Sequence, residues 1–165
     1  MSYHVMIVED EYWTALDLAV EVEDRGAIVT GPFSSVSQAI EVLRGPQRPD
    51  VAILDIRLRN TEVFPVADLL MQDGIPFVFT TAYLKRHVPQ RFAEAPHFEK
   101  PFMAESCVDR ALALAKARSC GSRSRPGTQT DDTGSLDGPD EDAWDEDQIR
   151  DWLVKVGAFS DGKLG

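Results

Sequence analysis

One carboxylate follows a short apolar run in the middle of the chain. Residues 51–54 are all apolar, and Asp55 comes directly after them. An unbroken apolar run of this length is typical of a strand that is buried on both faces of a parallel sheet. Asp55 would then lie at the carboxyl end of that strand, where open α/β sheets place their ligand sites. The sequence therefore predicts an accessible and reactive carboxyl group at Asp55.

Other polar side chains lie at the ends of strand-like runs in a similar way. The acidic triplet Glu9-Asp10-Glu11 comes after the run at residues 5–8, Thr81 ends a run at residues 77–81, and Lys100 follows residues 97–99. The carboxyl ends of parallel strands meet at one edge of a sheet, so we expect these groups to converge on Asp55.

Converging acids, a hydroxyl and a lysine suit phosphoryl chemistry with a metal. Clustered carboxylates raise one another's pKa unless a cation joins them. Mg²⁺ prefers oxygen ligands and usually keeps several waters, so two or three acids and a phosphate oxygen suffice to hold it. A carboxylate beside such a metal can attack phosphorus and become an aspartyl phosphate, while a lysine and a hydroxyl take up the phosphoryl charge. Lys100 and Thr81 fit these two roles.

Each of these residues also has an ordinary structural explanation. An acidic triplet after a strand is often only the charge preference of the next helix at its N-terminus. Thr81 would serve equally as a β-former, and Lys100 would serve at the start of a helix. The positions nevertheless fall at the carboxyl ends of different strands in the order that a shared site requires. This agreement favours a functional interpretation.

Length and composition restrict the class of protein. The 165 residues, 43% of them hydrophobic, allow one domain of ordinary size and an appendage. The net charge of -11 argues against a nucleic-acid partner, because phosphate binding needs a basic surface. Cys107 and Cys120 lack metal or disulfide spacing, which favours free thiols in a reducing compartment. With no apolar stretch near the roughly 18 residues of a membrane span and no signal peptide, we expect a cytoplasmic protein without a membrane partner.

The order of elements predicts an α/β fold. Strand-like runs at residues 5–8, 27–30, 51–55, 77–81 and 98–99 alternate with helical patterns at 12–24, 35–44, 63–71 and 103–118. Short right-handed connections between them give a doubly wound, five-stranded parallel sheet in a domain at residues 1–118. A helix at residues 84–93 would contain Pro89, which costs about 3 kcal/mol in a helix interior, so we expect this fourth helix to be weak.

The last part of the chain differs in character. Residues 119–165 carry eleven acids against five bases. Residues 119–144, rich in Ser, Gly, Pro and Asp, are predicted to form an acidic disordered linker. Residues 145–157 have the caps and charges of a short amphipathic helix, followed by a flexible tail at 158–165. Whether that helix docks on its own domain or on a partner stays open.

Taken together, the motifs resemble the signature of the response-regulator receiver domain over residues 4–118. The residues that carry this resemblance are Glu9-Asp10, Asp55, Thr81-Ala82 and Lys100-Pro101-Phe102. The resemblance implies the flavodoxin-like receiver fold. It also implies a Mg²⁺ ion that Asp10 binds directly, with Glu9 assisting and with Asp55 and the backbone carbonyl of Arg57 as further ligands.

The same resemblance implies the phosphoryl chemistry. Asp55 would be the phosphoacceptor, Thr81 the switch hydroxyl and Lys100 the partner of the phosphoryl group. His97 stands where many receivers carry an aromatic switch residue, and it is interpreted here as a polar strand end. Arg57 is longer and more basic than the residue often found two positions after the phosphoacceptor.

Residues 76–83 further resemble the motif of the FAT GUY branch of receivers. These are stand-alone receivers associated with HWE-type sensor kinases in alphaproteobacteria. Thr80 and Ala82 occupy positions where that branch commonly has Ala and Gly.

The preferred function is a phosphorylation-dependent switch in a two-component phosphorelay. A sensor histidine kinase or a phosphotransferase would supply the phosphoryl group, and the protein would act through contacts with an unknown downstream protein or as a phosphate sink. We expect no enzymatic activity beyond self-phosphorylation and autodephosphorylation. One alternative is an aspartyl-phosphate phosphatase of the haloacid-dehalogenase type, which would need a second Asp at the position of Arg57. The other is a receiver-like scaffold that is never phosphorylated.

Overall fold

The computed structural model describes residues 2–82 and 88–121. In chain order the strands are β1 (His4–Val8), β2 (Ile28–Phe33), β3 (Val51–Asp55), β4 (Arg57–Leu58), β5 (Thr61–Glu62), β6 (Phe77–Thr81) and β7 (His97–Glu99). The α-helices of this part of the chain are α1 (Tyr12–Asp24), α2 (Val36–Arg44), α3 (Phe64–Gln72) and α4 (Ala104–Gly121).

The central sheet is parallel and has five strands in the spatial order β2-β1-β3-β6-β7. Strands β4 and β5 form a separate antiparallel hairpin directly after β3. The helices lie on both faces of the central sheet, with α1 and α4 on one and α2 and α3 on the other. The predicted doubly wound parallel sheet is thereby confirmed.

The alternation of side chains along β1 explains why its sequence is apolar throughout. Met6 and Val8 pack in the core beneath α2 and α3, whereas Val5 and Ile7 pack beneath α1 and α4. All four are fully buried. A strand that is covered on both faces has no position for a polar side chain, and polar residues return only where the strand ends.

Strand register brings the ends of four strands to one edge of the sheet. Val8 pairs with Leu54, and Asp55 pairs with Thr80 on the next strand. On the far side of that strand, Thr81 pairs with Glu99. The residues that follow β1, β3, β6 and β7 therefore emerge side by side.

Helix α1 ends as its sequence predicts, at a glycine in the left-handed region. Gly26 has a φ of 69°. Its N–H donates to the Glu23 carbonyl at 2.8 Å, and the Ala27 N–H donates to the Val22 carbonyl at 3.1 Å. These two bonds satisfy carbonyls that the last turn of the helix would otherwise leave open.

Helix α2 begins with a variant of the capping box, formed by Ser35 and Gln38. The Ser35 hydroxyl accepts from the Gln38 N–H at 3.4 Å. The Gln38 side-chain oxygen returns to the N–H of Ser34 at 3.3 Å rather than to that of the cap residue itself. Two N–H groups at the start of the helix are still satisfied, which is what the motif provides.

Two elements run three residues past their predicted ends. Strand β2 continues to Phe33, three residues past the predicted end, because Gly31 follows a backbone path that keeps the chain beside β1. Helix α4 continues to Gly121, and the Ser119 hydroxyl donates to the Ala115 carbonyl at 3.1 Å in its last turn. Residues 119–121 are thus helical and do not belong to the predicted linker. The rest of that linker, the predicted helix at 145–157 and the tail lie outside the described residues.

The connection between β6 and β7 lacks an α-helix in its described part, residues 88–96. A short 3₁₀ helix, Gln90–Phe92, begins directly after Pro89. This agrees with a weak fourth helix, while residues 83–87 of the predicted segment lie outside the described part. Phe92 is buried among the rings of Phe64, Phe77 and Phe79, with centroid separations of 5.6 to 5.9 Å, which anchors the connection to the core.

Both cysteines are free thiols. Burial on the core-facing side of α4 raises the pKa of Cys107 to about 12, so this thiol is unreactive at neutral pH. Cys120 is exposed near the end of the same helix. Within residues 2–82 and 88–121, none of the helices is both long enough and apolar enough to cross a membrane.

Candidate functional site

Three acids from two strands meet at the carboxyl edge of the sheet. Glu9 and Asp10 follow β1, and Asp55 ends β3. Each offers a carboxylate oxygen, and these oxygens lie within 4.8 Å of one another. The structure therefore brings together the acids that the sequence singled out.

Asp55 is held in one orientation by contacts to both of its oxygens. Its Oδ1 accepts a hydrogen bond from the Arg57 N–H at 3.0 Å, and its Oδ2 accepts one from the Lys100 Nζ at 2.9 Å. The residue is only 6% exposed, although a depression of about 330 Å³ reaches it. A buried carboxylate with fixed oxygens and one open approach is suited to act as a nucleophile.

Lys100 lies where it can neutralise this group. The bond from its backbone N–H to the Thr81 carbonyl, at 2.8 Å, fixes the start of its side chain beside β6. Its Nζ then contacts both Asp55 and Glu9. Burial alone would lower the pKa of Lys100, but the hydrogen bonds to Asp55 and Glu9 outweigh it and raise that pKa well above its ordinary value. The ammonium group therefore stays charged at neutral pH.

Glu9 is the most deeply placed of the three acids, at 3% exposed. Burial and then the neighbouring charge of Asp55 raise the pKa of Glu9 to about 8, while the hydrogen bond from Lys100 works in the opposite direction. Its Oε1 accepts from the Glu11 N–H at 3.0 Å. Its Oε2 lies 2.9 Å from the Lys100 Nζ but accepts no directed hydrogen bond, so a lone pair remains for a cation.

Asp10 is oriented by the hairpin that follows β3. Its Oδ2 accepts a hydrogen bond from the Arg59 N–H at 2.8 Å. Arg59 occupies the turn between β4 and β5 with a φ of 52°, a conformation that costs a non-glycine residue about 1 to 2 kcal/mol. The hairpin thus fixes a carboxylate 49 residues away. No local pattern in the sequence indicates this contact.

The donor set fits a hard cation such as Mg²⁺. It consists of carboxylate oxygens, and one of them, the buried Glu9 Oε2, accepts no directed hydrogen bond. The adjoining depression has room for water ligands. Glu9, Asp10 and Asp55 would hold the ion. Arg57 lines the same depression, and ligation by its carbonyl stays a prediction.

Thr81 and His97 lie on the neighbouring strands. Thr81 is buried at the end of β6, next to the position of Lys100, and its role as a switch hydroxyl stays a prediction. The His97 ring packs against Phe79, with 5.3 Å between ring centroids. His97 therefore faces the aromatic core cluster rather than the acids.

One contact of the site was not anticipated from the sequence. The Glu11 Oε2 lies 3.1 Å from the Lys100 Nζ and accepts a hydrogen bond from the Thr14 hydroxyl at 3.0 Å. Glu11 belongs to the acidic triplet, but its pairing depends on a residue 89 positions away. Lys100 consequently contacts three carboxylates, those of Glu9, Glu11 and Asp55.

No protein-family model matches the chain. Many known proteins are similar to it, and three of them illustrate the match. The phyllosphere-induced regulator PhyR of Methylorubrum extorquens is 31% identical over 105 residues, which are 62% of this chain and 38% of that protein. The solution structure of SdrG from Sphingomonas melonis is 35% identical, with 70% of this chain and 97% of that one covered and a TM-score of 0.59. The receiver domain of the PhyR response regulator from Erythrobacter litoralis is 28% identical, with 70% and 91% covered and a TM-score of 0.60.

The matched receiver domains share the fold, and the acids and the lysine occupy the strand ends at which the receiver signature places them. The chain belongs to the response-regulator receiver family. This receiver therefore has a signalling role of the response-regulator type. The chain spans only 38% of the curated PhyR protein, so that protein's full activity does not transfer with the match. Assignment to the FAT GUY branch stays a prediction.

Proposed function

We propose that this receiver accepts a phosphoryl group on Asp55, with Mg²⁺, from a sensor histidine kinase or a phosphotransferase. The supporting observation is the placement of the Asp55 carboxylate, with one oxygen on Lys100 and the acids Glu9 and Asp10 within metal-ligand distance. This arrangement supplies a nucleophile and the positive charge that phosphoryl transfer needs.

In the proposed reaction, an oxygen of Asp55 forms a bond to phosphorus as the bond from phosphorus to the donor's nitrogen or oxygen breaks. A Mg²⁺ ion held by Glu9, Asp10 and Asp55 would neutralise charge on the transferring group. Lys100 donates a hydrogen bond to a phosphoryl oxygen. The Thr81 hydroxyl, at the adjacent strand end, donates to another.

The phosphorylated receiver acts on other proteins in this proposal. Its partners are a sensor kinase, of the HWE type if the branch resemblance holds, and a downstream protein that it contacts or relieves of phosphate. A cytoplasmic location and the absence of nucleic-acid or membrane partners are part of the same proposal. No catalytic activity is proposed beyond its own phosphorylation and dephosphorylation.

Intact mass spectrometry after incubation with acetyl phosphate and Mg²⁺ tests the proposal. We expect the mass of one phosphoryl group on the wild type and none on Asp55→Asn, which keeps the side-chain volume. Asp24→Asn, at an exposed position of α1 away from the site, is the matched control and should be labelled like the wild type. A wild type that never gains this mass would support the unphosphorylated scaffold instead, and labelling of Asp55→Asn would move the acceptor to another residue.

A further inference from the structure

Lys100 has a carboxylate partner outside the candidate metal group. Its Nζ lies 3.1 Å from the Glu11 Oε2, while Glu9 and Asp55 approach it from the buried side. The Glu11 side chain is 58% exposed, compared with 1% for Glu9. Glu11 therefore holds the outer side of the ammonium group.

Glu11 is itself held in place. The Thr14 hydroxyl donates to the same Oε2 at 3.0 Å, one turn along the start of α1. An exposed glutamate carboxylate of this kind is charged at neutral pH. A fixed, charged acceptor beside Lys100 competes with any other anion for that lysine.

Phosphorylation of Asp55 would add another anion that competes for the Lys100 ammonium group. A metal ion shares the charge of Glu9 and Asp55, whereas Glu11 does not belong to the group of acids within metal-ligand distance. Glu11 thus keeps its full attraction for Lys100 when the metal binds. An ammonium group has three N–H donors, and the carboxylates of Glu9, Glu11 and Asp55 occupy all three, so a phosphoryl oxygen has to displace one of these acceptors.

We propose that Glu11 is a positioning residue that restrains Lys100 in the unphosphorylated receiver and thereby slows phosphorylation of Asp55. In the step, an N–H···O hydrogen bond from Lys100 to Glu11 is replaced by one from Lys100 to a phosphoryl oxygen, and the lysine keeps its proton. This inference rests on the proposed function. It adds a residue that sets the rate of phosphoryl gain.

The test compares Glu11→Gln with a matched removal of charge. Asp17 lines the same cavity of about 450 Å³ beside Lys100 but forms none of the ion pairs that Lys100 makes within the described part of the chain. With acetyl phosphate at saturating Mg²⁺, we expect Glu11→Gln to gain the phosphoryl group about two to five times faster than the wild type, the range that a partly exposed ion pair supports. Asp17→Asn should stay close to the wild-type rate.

A second readout separates a positioning role from a general effect of charge. In the phosphorylated state Lys100 has already left Glu11, so the rate constant for phosphate loss should be the same for Glu11→Gln and the wild type. Equal acceleration by Asp17→Asn, an unchanged rate of gain in Glu11→Gln, or a parallel change in its rate of loss would each overturn the inference. A wild type that takes up no phosphoryl group would overturn the proposed function itself, and melting curves show whether both variants fold.

Discussion

Thr80 carries a hydroxyl that the folded protein buries without a hydrogen-bond partner. The residue is fully buried in β6, where it pairs with Asp55 of β3. A buried polar group without a partner lowers the free energy of unfolding by about 1 to 3 kcal/mol, because it loses its hydrogen bonds to water and forms none in the protein. Thr80 lowers the stability of the receiver for this reason.

We expect Thr80→Val to raise the free energy of unfolding by about 1 kcal/mol, because valine keeps the branched shape and removes the hydroxyl. The melting temperature should rise by several degrees. Thr61→Val makes the same chemical change at an exposed strand position and should leave the melting temperature unchanged. A fall in the melting temperature of Thr80→Val would show that the hydroxyl has a stabilising role.

Glu9 gives the metal-free protein a pH dependence with a defined sign. The pKa of this carboxyl rises from 4.5 to about 8 in the folded state. Between these values the folded state binds more protons than the unfolded state, so the free energy of unfolding falls as pH rises. In EDTA, urea unfolding at pH 5, 6, 7 and 8 should show this decline for the wild type. Glu9→Gln should lack the contribution, and equal slopes for both proteins would contradict the assignment.

Asp10 tests the metal site. Removing one of three clustered carboxylate charges should stabilise the metal-free protein, so Asp10→Asn should melt at a higher temperature than the wild type in EDTA. The Asn oxygen can still accept from the Arg59 N–H, which keeps the hairpin contact. The same variant should lose the stabilisation that Mg²⁺ gives the wild type. Lower melting in EDTA, or an undiminished Mg²⁺ effect, would argue against a metal at these acids.

At the scale of elements, strand β2 depends on one glycine. Gly31 has a φ of 104°, and a Cβ at this position would lie 2.8 Å from the Ile7 carbonyl oxygen and 2.9 Å from the Phe33 nitrogen. Both neighbours are backbone atoms of the sheet and cannot move aside cheaply. Only glycine therefore lets β2 continue alongside β1 to Phe33.

Gly31→Ala should destabilise the protein by about 3 kcal/mol or more, because backbone overlap adds to conformational strain. Gly74→Ala is the control. Gly74 also has a positive φ, of 64°, but a Cβ added there would lie in open space. That variant should cost only about 1 to 2 kcal/mol. Chemical denaturation of the two variants measures the difference, and equal losses would mean that crowding at Gly31 is relieved at no cost.

The elements themselves were largely predictable, because their signals are local. Helix α1 and strand β3 have the predicted bounds, each marked by periodicity and by the residues at its ends. The continuation of β2 past residue 30 was missed because a Gly-Pro pair ordinarily signals a turn. The hairpin of β4 and β5 was missed because two-residue strands leave no periodic pattern.

At the scale of the whole molecule, two core clusters lie on the two faces of the central sheet. The Arg25 Nε lies 2.5 Å from the Asp109 Oδ1, and this ion pair joins the end of α1 to α4. We expect a protein truncated after Gly121 to unfold cooperatively and to take up phosphate at the wild-type rate. Failure to fold would show that residues 122–165 complete the core, and a lower melting temperature alone would indicate docking of the predicted helix at 145–157.

The composition of the site was predictable, but its internal contacts were not. The acids and the lysine were recognised because each lies at the end of a strand-like run. The pairing of Lys100 with Glu11, and of Asp10 with the Arg59 N–H, joins residues 89 and 49 positions apart. Such contacts depend on the distances between loops in the finished fold, which no local pattern encodes.

The span of the Lys100 contacts along the chain has a consequence for folding. Its partners Asp55 and Glu9 lie 45 and 91 positions earlier in the sequence. These contacts exist only after the first and last strands have joined the sheet, and contacts of such long range form late. A partly folded chain therefore contains the Asp55 carboxyl group, but Lys100 and Glu9 are not yet placed beside it. If Asp55 is phosphorylated as proposed, the extent of its labelling at increasing urea concentration should follow the fraction of folded protein. Phosphorylation of Asp55 would then report directly on complete folding.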